Sequence, residues 1–263
     1  MIISKRLLLA AVAGASLFTA SPAFADLKMG VAAEVYAPFT SLDASGKWVG
    51  WEVDFMEAVC AEVGEKCTIE PVAWDGIIPA LQAKKFDAIM SSMSITPERA
   101  KTISFSDMYY NSAAVIIGPK GDDKDFSPEH LSGKNVGVQV STTHAAYLAK
   151  YYAPKGSVVK TYATQDEANA DLAAGRLDYV MADGVALDAF LTSEQGGCCE
   201  QKGAVPIDVE ILGPGVGFGI RQEDTALLAK MNGGIKALAA KGIFDKITAA
   251  WKLEGKIVTG GKP

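Results

Sequence analysis

Ser91-Ser92-Met93-Ser94-Ile95-Thr96-Pro97-Glu98-Arg99 follows directly on residues 86–90, a run that reads as a buried strand. Thr96 suits a helix N-cap, Pro97 the first helical position, and Glu98 the place where the macrodipole favours a negative charge. Arg99 then projects from the first turn beside backbone amides that have no intrahelical partner. Small hydroxyl side chains, free amides and one planar guanidinium together make a receptor for a carboxylate. The competing reading is an ordinary capped helix with a surface arginine. Open α/β sheets bind ligands at the carboxyl ends of their strands, where residues 86–90 would deliver this segment.

Working outward, residues 27–32 alternate like a strand, Trp51 to Val63 carries helical periodicity closed by Gly64, and residues 67–71 return to strand. This is a β-α-β opening. Asp75 is placed to cap a helix running through Ile77, Ile78, Leu81 and Lys84. The same order restarts at residues 135–140, a strand leading into Ser141, Thr142, Thr143 and a helix through Tyr151, so a second helix N-terminus is offered. A strand at 158–162, Thr164 and Glu167 at capping-box spacing, a helix ended by Gly175 and a strand at 177–181 follow. Asp183 closes that last strand and stands at the ligand-facing edge by the same topological rule. Its other reading is an N-cap for the helix starting near Val185, and both roles are compatible.

Lys5 and Arg6 precede an apolar run from Leu7 to Phe18, and Ala23, Phe24, Ala25 match the small-residue cleavage pattern of a signal peptide spanning residues 1–25. No later segment reaches the roughly 18 uninterrupted apolar residues of a transmembrane helix. Asp26, rather than a cysteine, follows the cut, so a free periplasmic protein is expected and a lipid anchor is not. Removing the leader takes the formal charge from −6 to −8, which argues against nucleic acid as a partner. Gly, Val and Ala content with several short strand-like runs favours α/β over all-α.

Four cysteines in an exported chain read first as disulfides. Cys60 and Cys67 are placed to bridge the end of a helix to the next strand, whereas the adjacent Cys198 and Cys199 could join only in a strained ring. With two histidines and no C-x-x-C, a metal site is not expected. Tyr110 to Ala114 and the glycine-rich stretch from Gly213 to Gly219 look like crossings between lobes, where a hinge needs freedom. Phe218 stands where the third glycine of a dinucleotide fingerprint would fall, so no cofactor is expected. Asp122, Asp123, Lys124 and Asp125 read as a solvated loop.

The assembled residues resemble the polar amino acid-binding proteins of ABC importers, especially lysine/arginine/ornithine-, histidine- and opine-binding members. The resemblance covers nearly all of the mature chain. It is carried by Tyr36-Ala37-Pro38-Phe39, Trp74-Asp75-Gly76 before Ile78 and Pro79, the serine-to-arginine segment, Ser141 to Thr143, Ala174-Gly175-Arg176-Leu177-Asp178, and Asp183. The Cys60 and Cys67 spacing also looks like the single disulfide of several relatives. What it implies is an α/β, type II periplasmic binding fold, two α/β lobes joined by a two-segment hinge. Lobe one would take residues 26–111 and 215–263, and lobe two residues 112–214.

By the same resemblance, Arg99 would clamp a ligand α-carboxylate with the amides of Ser94 and Thr143. Asp183, the Ser92 side chain and a carbonyl at Ser91 or Ser92 would hold the α-ammonium. Tyr36 and Trp74 would sandwich the ligand side chain, while Phe39 and Phe55 read as core. ABC permease subunits in the inner membrane would be the partners, and a monomer is the default state. Basic-amino-acid relatives carry an acid three positions before the tyrosine, where this chain has Ala33; Glu34 stands next to it and reaches the cleft only if the loop has shifted. Gln139 and His144 fall where relatives tune their side-chain pockets, and His144 offers hydrogen bonds or a pH response. A polar, above all basic, amino acid or a related opine is the expected ligand. The alternative is an enzyme on the same fold, such as a cyclohexadienyl-type dehydratase, with Glu34 or Asp75 as the acid. No nucleophile with an adjacent base is visible, so no catalytic residue is expected.

Overall fold

The computed structural model describes residues 26–122 and 124–260; the expected signal peptide, residues 1–25, and Asp123 lie outside the described residues. The chain opens with β1 (Leu27–Ala32), α1 (Trp51–Glu62), β2 (Cys67–Val72), α2 (Ile77–Gln82), β3 (Ala88–Ile89), α3 (Pro97–Ala100) and β4 (Ser104–Phe105). It continues with β5 (Ala114–Pro119), β6 (Asn135–Gln139), α4 (Thr143–Tyr151), β7 (Val158–Tyr162), α5 (Gln165–Ala173), β8 (Tyr179–Asp183), α6 (Gly184–Leu191) and β9 (Cys199–Ala204). It closes with β10 (Gly219–Ile220), α7 (Thr225–Ala240) and α8 (Ile243–Ala250). One five-stranded sheet has the order β2-β1-β3-β10-β4 and a second has β7-β6-β8-β5-β9. In each, parallel strands form one side and antiparallel strands the other. The fold is therefore α/β with two sheet-containing lobes, as the sequence reading expects.

β1 does not alternate as its sequence suggests, because its last four residues are all buried. Met29 and Val31 pack with Phe55, Val59 and Ile235, while Ala32 joins Ile77, Leu81 and Ile89 on the other side. A parallel central strand covered on both faces has no solvent side to mark. The ladder assigns only Ala88–Ile89 to β3, although the N–H groups of Asp87 and Met90 continue it by donating to Lys28 O and Gly30 O. Asp75 does not cap a helix: a turn of 3-10 helix, Trp74–Gly76, enters α2, and Lys84 lies beyond its end with φ +58°. The Thr164 and Glu167 capping box is formed on both sides.

The two segments between the sheets run side by side. Val216 N–H donates to Tyr110 O at 2.7 Å, and Tyr109 N–H donates to Val216 O at 2.9 Å. The returning segment also holds the serine loop, since Ile95 N–H donates to Gly215 O at 2.8 Å. Close approach explains the glycines here: a Cβ on Gly213 would lie 2.0 Å from Ile95 O, and one on Gly215 2.2 Å from Met108 Sδ. Beneath the crossing sits an aromatic stack, with Trp51 and Phe55 rings 5.3 Å apart and Phe55 and Tyr109 4.8 Å apart. Phe39 and Phe55 are fully buried, as their sequence reading expects.

Cys60 near the end of α1 is bonded to Cys67 at the start of β2, and Cys198 is bonded to Cys199. The first bond closes a short loop, which restricts the unfolded chain. Replacing Cys60 and Cys67 by serine should lower unfolding free energy by about 2–3 kcal/mol with an unchanged denaturant slope. A loss below about 0.5 kcal/mol in urea titrations would assign the bond no stabilising role.

Candidate functional site

The carboxyl ends of β1, β3, β6 and β8 converge on one crevice between the sheets. Ala32, Ser91, Ser92, Gln139 and Asp183 line it from those ends, joined by Glu34, Tyr36, Trp74, Ser94, Arg99, Thr143 and His144. Its empty space is about 560 Å³ including the mouth.

Arg99 is set on one wall by local chemistry. Thr96 is the N-cap of α3, and its Oγ1 accepts from Arg99 N–H at 3.2 Å. Nη1 donates to Ser94 O at 2.9 Å and Nη2 to Ser141 O of the other lobe at 3.2 Å, with the guanidinium carbon 5.4 Å from the centre of the Trp74 ring. Because α3 is a single turn, its dipole adds little, and the guanidinium carries the attraction for anions. Burial pulls Arg99 down to about 10, opposed by Asp183, so it stays charged at neutral pH. Thr143 opens α4 across the crevice, where Thr142 caps the helix by accepting from Ala145 N–H at 3.1 Å.

Asp183 occupies the N-cap position of α6 yet makes no capping bond with its side chain. Its oxygens accept from Tyr36 OH at 2.7 Å and Ser112 Oγ at 3.2 Å, and His144 Nε2 lies 3.6 Å away. Burial pushes the Asp183 carboxyl up, and His144 with the hydrogen bonds outweighs it, leaving the group below the ordinary aspartate value. Burial, reinforced by Asp183, drives the Tyr36 phenol well above its usual value. A negative charge is thus fixed opposite Arg99, in the same crevice and on the other lobe.

Around these charges the polar ends of two aromatic residues tie the lobes together: Tyr36 through Asp183, and Trp74 by donating its Nε1–H to Val140 O at 3.1 Å. Glu34 lines the crevice wall. Its Oε1 accepts from Trp74 N–H at 3.1 Å, and its Oε2 is buried with no hydrogen-bond partner. Ala33 is exposed. Gln139 donates its Nε2–H to Ala163 O at 3.1 Å.

The profile of the bacterial extracellular solute-binding proteins, family 3, matches residues 27–254. The chain belongs to that family. It is 36% identical to the ABC transporter arginine-binding protein 1 of Escherichia coli (strain K12), over 94% of this chain and 98% of that one. It is 39% identical to the lysine/arginine/ornithine-binding periplasmic protein of the same strain, over 81% and 82%. A solved ancestral arginine-binding protein bound to arginine superposes with a TM-score of 0.79 at 33% identity, covering 86% of this chain and 97% of that one. This family 3 member is a solute-binding protein with a role in transport.

Sequence reading did not assign to the site the lining residues Val35, Thr142 and Gln165, the Asp183 partner Ser112, or, behind this binding protein's site, Glu52, which is fully buried in α1. Ser92 N–H donates to both Glu52 oxygens at 2.9 Å, Ser92 Oγ–H donates to Oε2 at 2.8 Å, and Tyr109 OH donates to Oε1 at 2.5 Å. Burial raises its carboxyl above the ordinary glutamate value, against the pull of those donors. A cue was present: Phe55, Met56 and Val59 follow Glu52 at helical spacing, which puts an acid on the apolar face.

Because the folded protein favours ionised Asp183, its contribution to stability is complete above the ordinary aspartate value and is lost as pH falls through the lower folded value. The stability gap between wild type and Asp183→Asn should therefore hold from about pH 7 to 5 and shrink toward about pH 3. Denaturant titrations across that range check it, and a gap that widens on acidification contradicts the assignment.

Proposed function

We propose that this chain is the periplasmic capture component of an ABC importer, taking up a polar, above all basic, L-amino acid or a related opine and delivering it to permease subunits in the inner membrane. The observation that carries the reading is that Arg99 and Asp183, of opposite charge and from separate lobes, line one crevice. In this reading Arg99 clamps the α-carboxylate with the amides of Ser94 and Thr143. Asp183, Ser92 Oγ and a carbonyl at Ser91 or Ser92 hold the α-ammonium. Tyr36 and Trp74 flank the ligand side chain, where a cation gains roughly 0.5–2 kcal/mol from the rings. Glu34, Gln139 and His144 shape that end of the pocket. The arginine and lysine named for relatives support a basic ligand.

The physical logic is closure. Bringing the lobes together excludes water, and the two ion pairs with the ligand gain strength in the lower dielectric. Residues 26–111 with 215–263 would move against residues 112–214, and a permease would read the closed form. Cleavage of residues 1–25 and a monomeric state belong to the same proposal.

Arg99→Ala or Asp183→Ala should each weaken amino acid binding by about 2–5 kcal/mol, thirtyfold or more, while far-UV circular dichroism stays that of wild type. Isothermal titration against basic amino acids makes the comparison. Unchanged affinity in both variants would refute the site.

A further inference from the structure

We infer that Glu52 is a positioning residue that makes Ser92 a pure hydrogen-bond acceptor toward the crevice and so dictates which end of the ligand lies there. The inference rests on the reading that an α-ammonium sits beside Ser92 and Asp183. A serine is ambivalent, since its hydroxyl and backbone can both donate and accept. Here both donors of Ser92, N–H and Oγ–H, are committed to Glu52 on the side away from the crevice. The buried Tyr110 phenol also interacts with the Ser92 side chain, and the hydroxyl's remaining lone pairs are left for the crevice that Ser92 lines. They fit a cationic N–H group and offer nothing to a carboxylate.

The backbone agrees. Ser92 has φ +49°, a conformation that non-glycine residues rarely adopt, and the bonds from its amide to the Glu52 carboxylate hold it there. Glu52 is itself fixed from behind by Tyr109 OH, and it stands at the start of α1 between the buried side chains of Trp51 and Val53. Glu52 does not touch the ligand; it acts through Ser92.

The test uses the mature full chain, L-arginine, and 5-guanidinopentanoate, which is arginine without its α-amino group. Calorimetric affinities are measured for wild type and for Glu52→Gln, whose amide can donate to Ser92 Oγ and return the hydroxyl proton to the crevice. Wild type should prefer arginine by at least about a hundredfold, and the variant should lose roughly tenfold to a hundredfold in arginine affinity with little change for the desamino compound. Equal losses for both compounds, or no loss for either, would overturn the role of Glu52. Wild type binding both equally, or neither, would overturn the amine-subsite reading beneath it. If Glu52→Gln does not fold, Tyr109→Phe, which loosens the same carboxylate, should weaken arginine alone by about threefold. Unchanged arginine binding there overturns the inference as well.

Discussion

Two opposite charges held in one crevice by two different sheets are the constraint on which the rest of this structure depends. Arg99 leans on the carbonyls of Ser94 and Ser141 and on the Trp74 ring, whereas Asp183 is held by Tyr36, Ser112 and His144. Each charge is oriented chiefly by dipoles and rings, which leaves it able to attract the opposite end of a zwitterion. Burial costs are met differently on the two walls: Arg99 drops toward 10 but remains cationic, and Asp183 keeps its charge because its hydrogen bonds favour the ionised form.

The lobes communicate through the same groups. Tyr36 reaches Asp183, Trp74 reaches Val140 O, and Arg99 reaches Ser141 O, so three side chains of the first lobe contact the second at the crevice itself. Side chains that line the pocket are also the ones that join its walls. Behind them the crossing segments are laced together and to the serine loop, with Gly213 and Gly215 admitting the close packing. A hydrogen-bonded support thus stands directly under Ser91, Ser92 and Ser94.

Local signals were the legible part of the sequence. The Thr96 cap, the Thr164 and Glu167 box and the strand Val158–Tyr162 depend on neighbours in the chain, and each formed where its residues suggested. Strand β8 formed two residues later than its apolar pattern indicated, because pairing with β5 and β6 sets its limits. Asp75 and Asp183 both looked like caps, and tertiary partners drew Asp183 away while a 3-10 turn displaced Asp75. Glu34 and Glu52 were the harder cases: the face of a strand-end residue and the partner of a buried acid are fixed by contacts 40 residues apart. No chain-local pattern encodes them.

Most direct for the central claim is the affinity for L-arginine measured beside that for agmatine, the same side chain and amine without the carboxylate. If Arg99 and Asp183 grip the two ends of a zwitterion, agmatine should bind at least about a hundredfold more weakly, because the guanidinium of Arg99 is left without its anion. Equal binding of the two compounds would contradict the account.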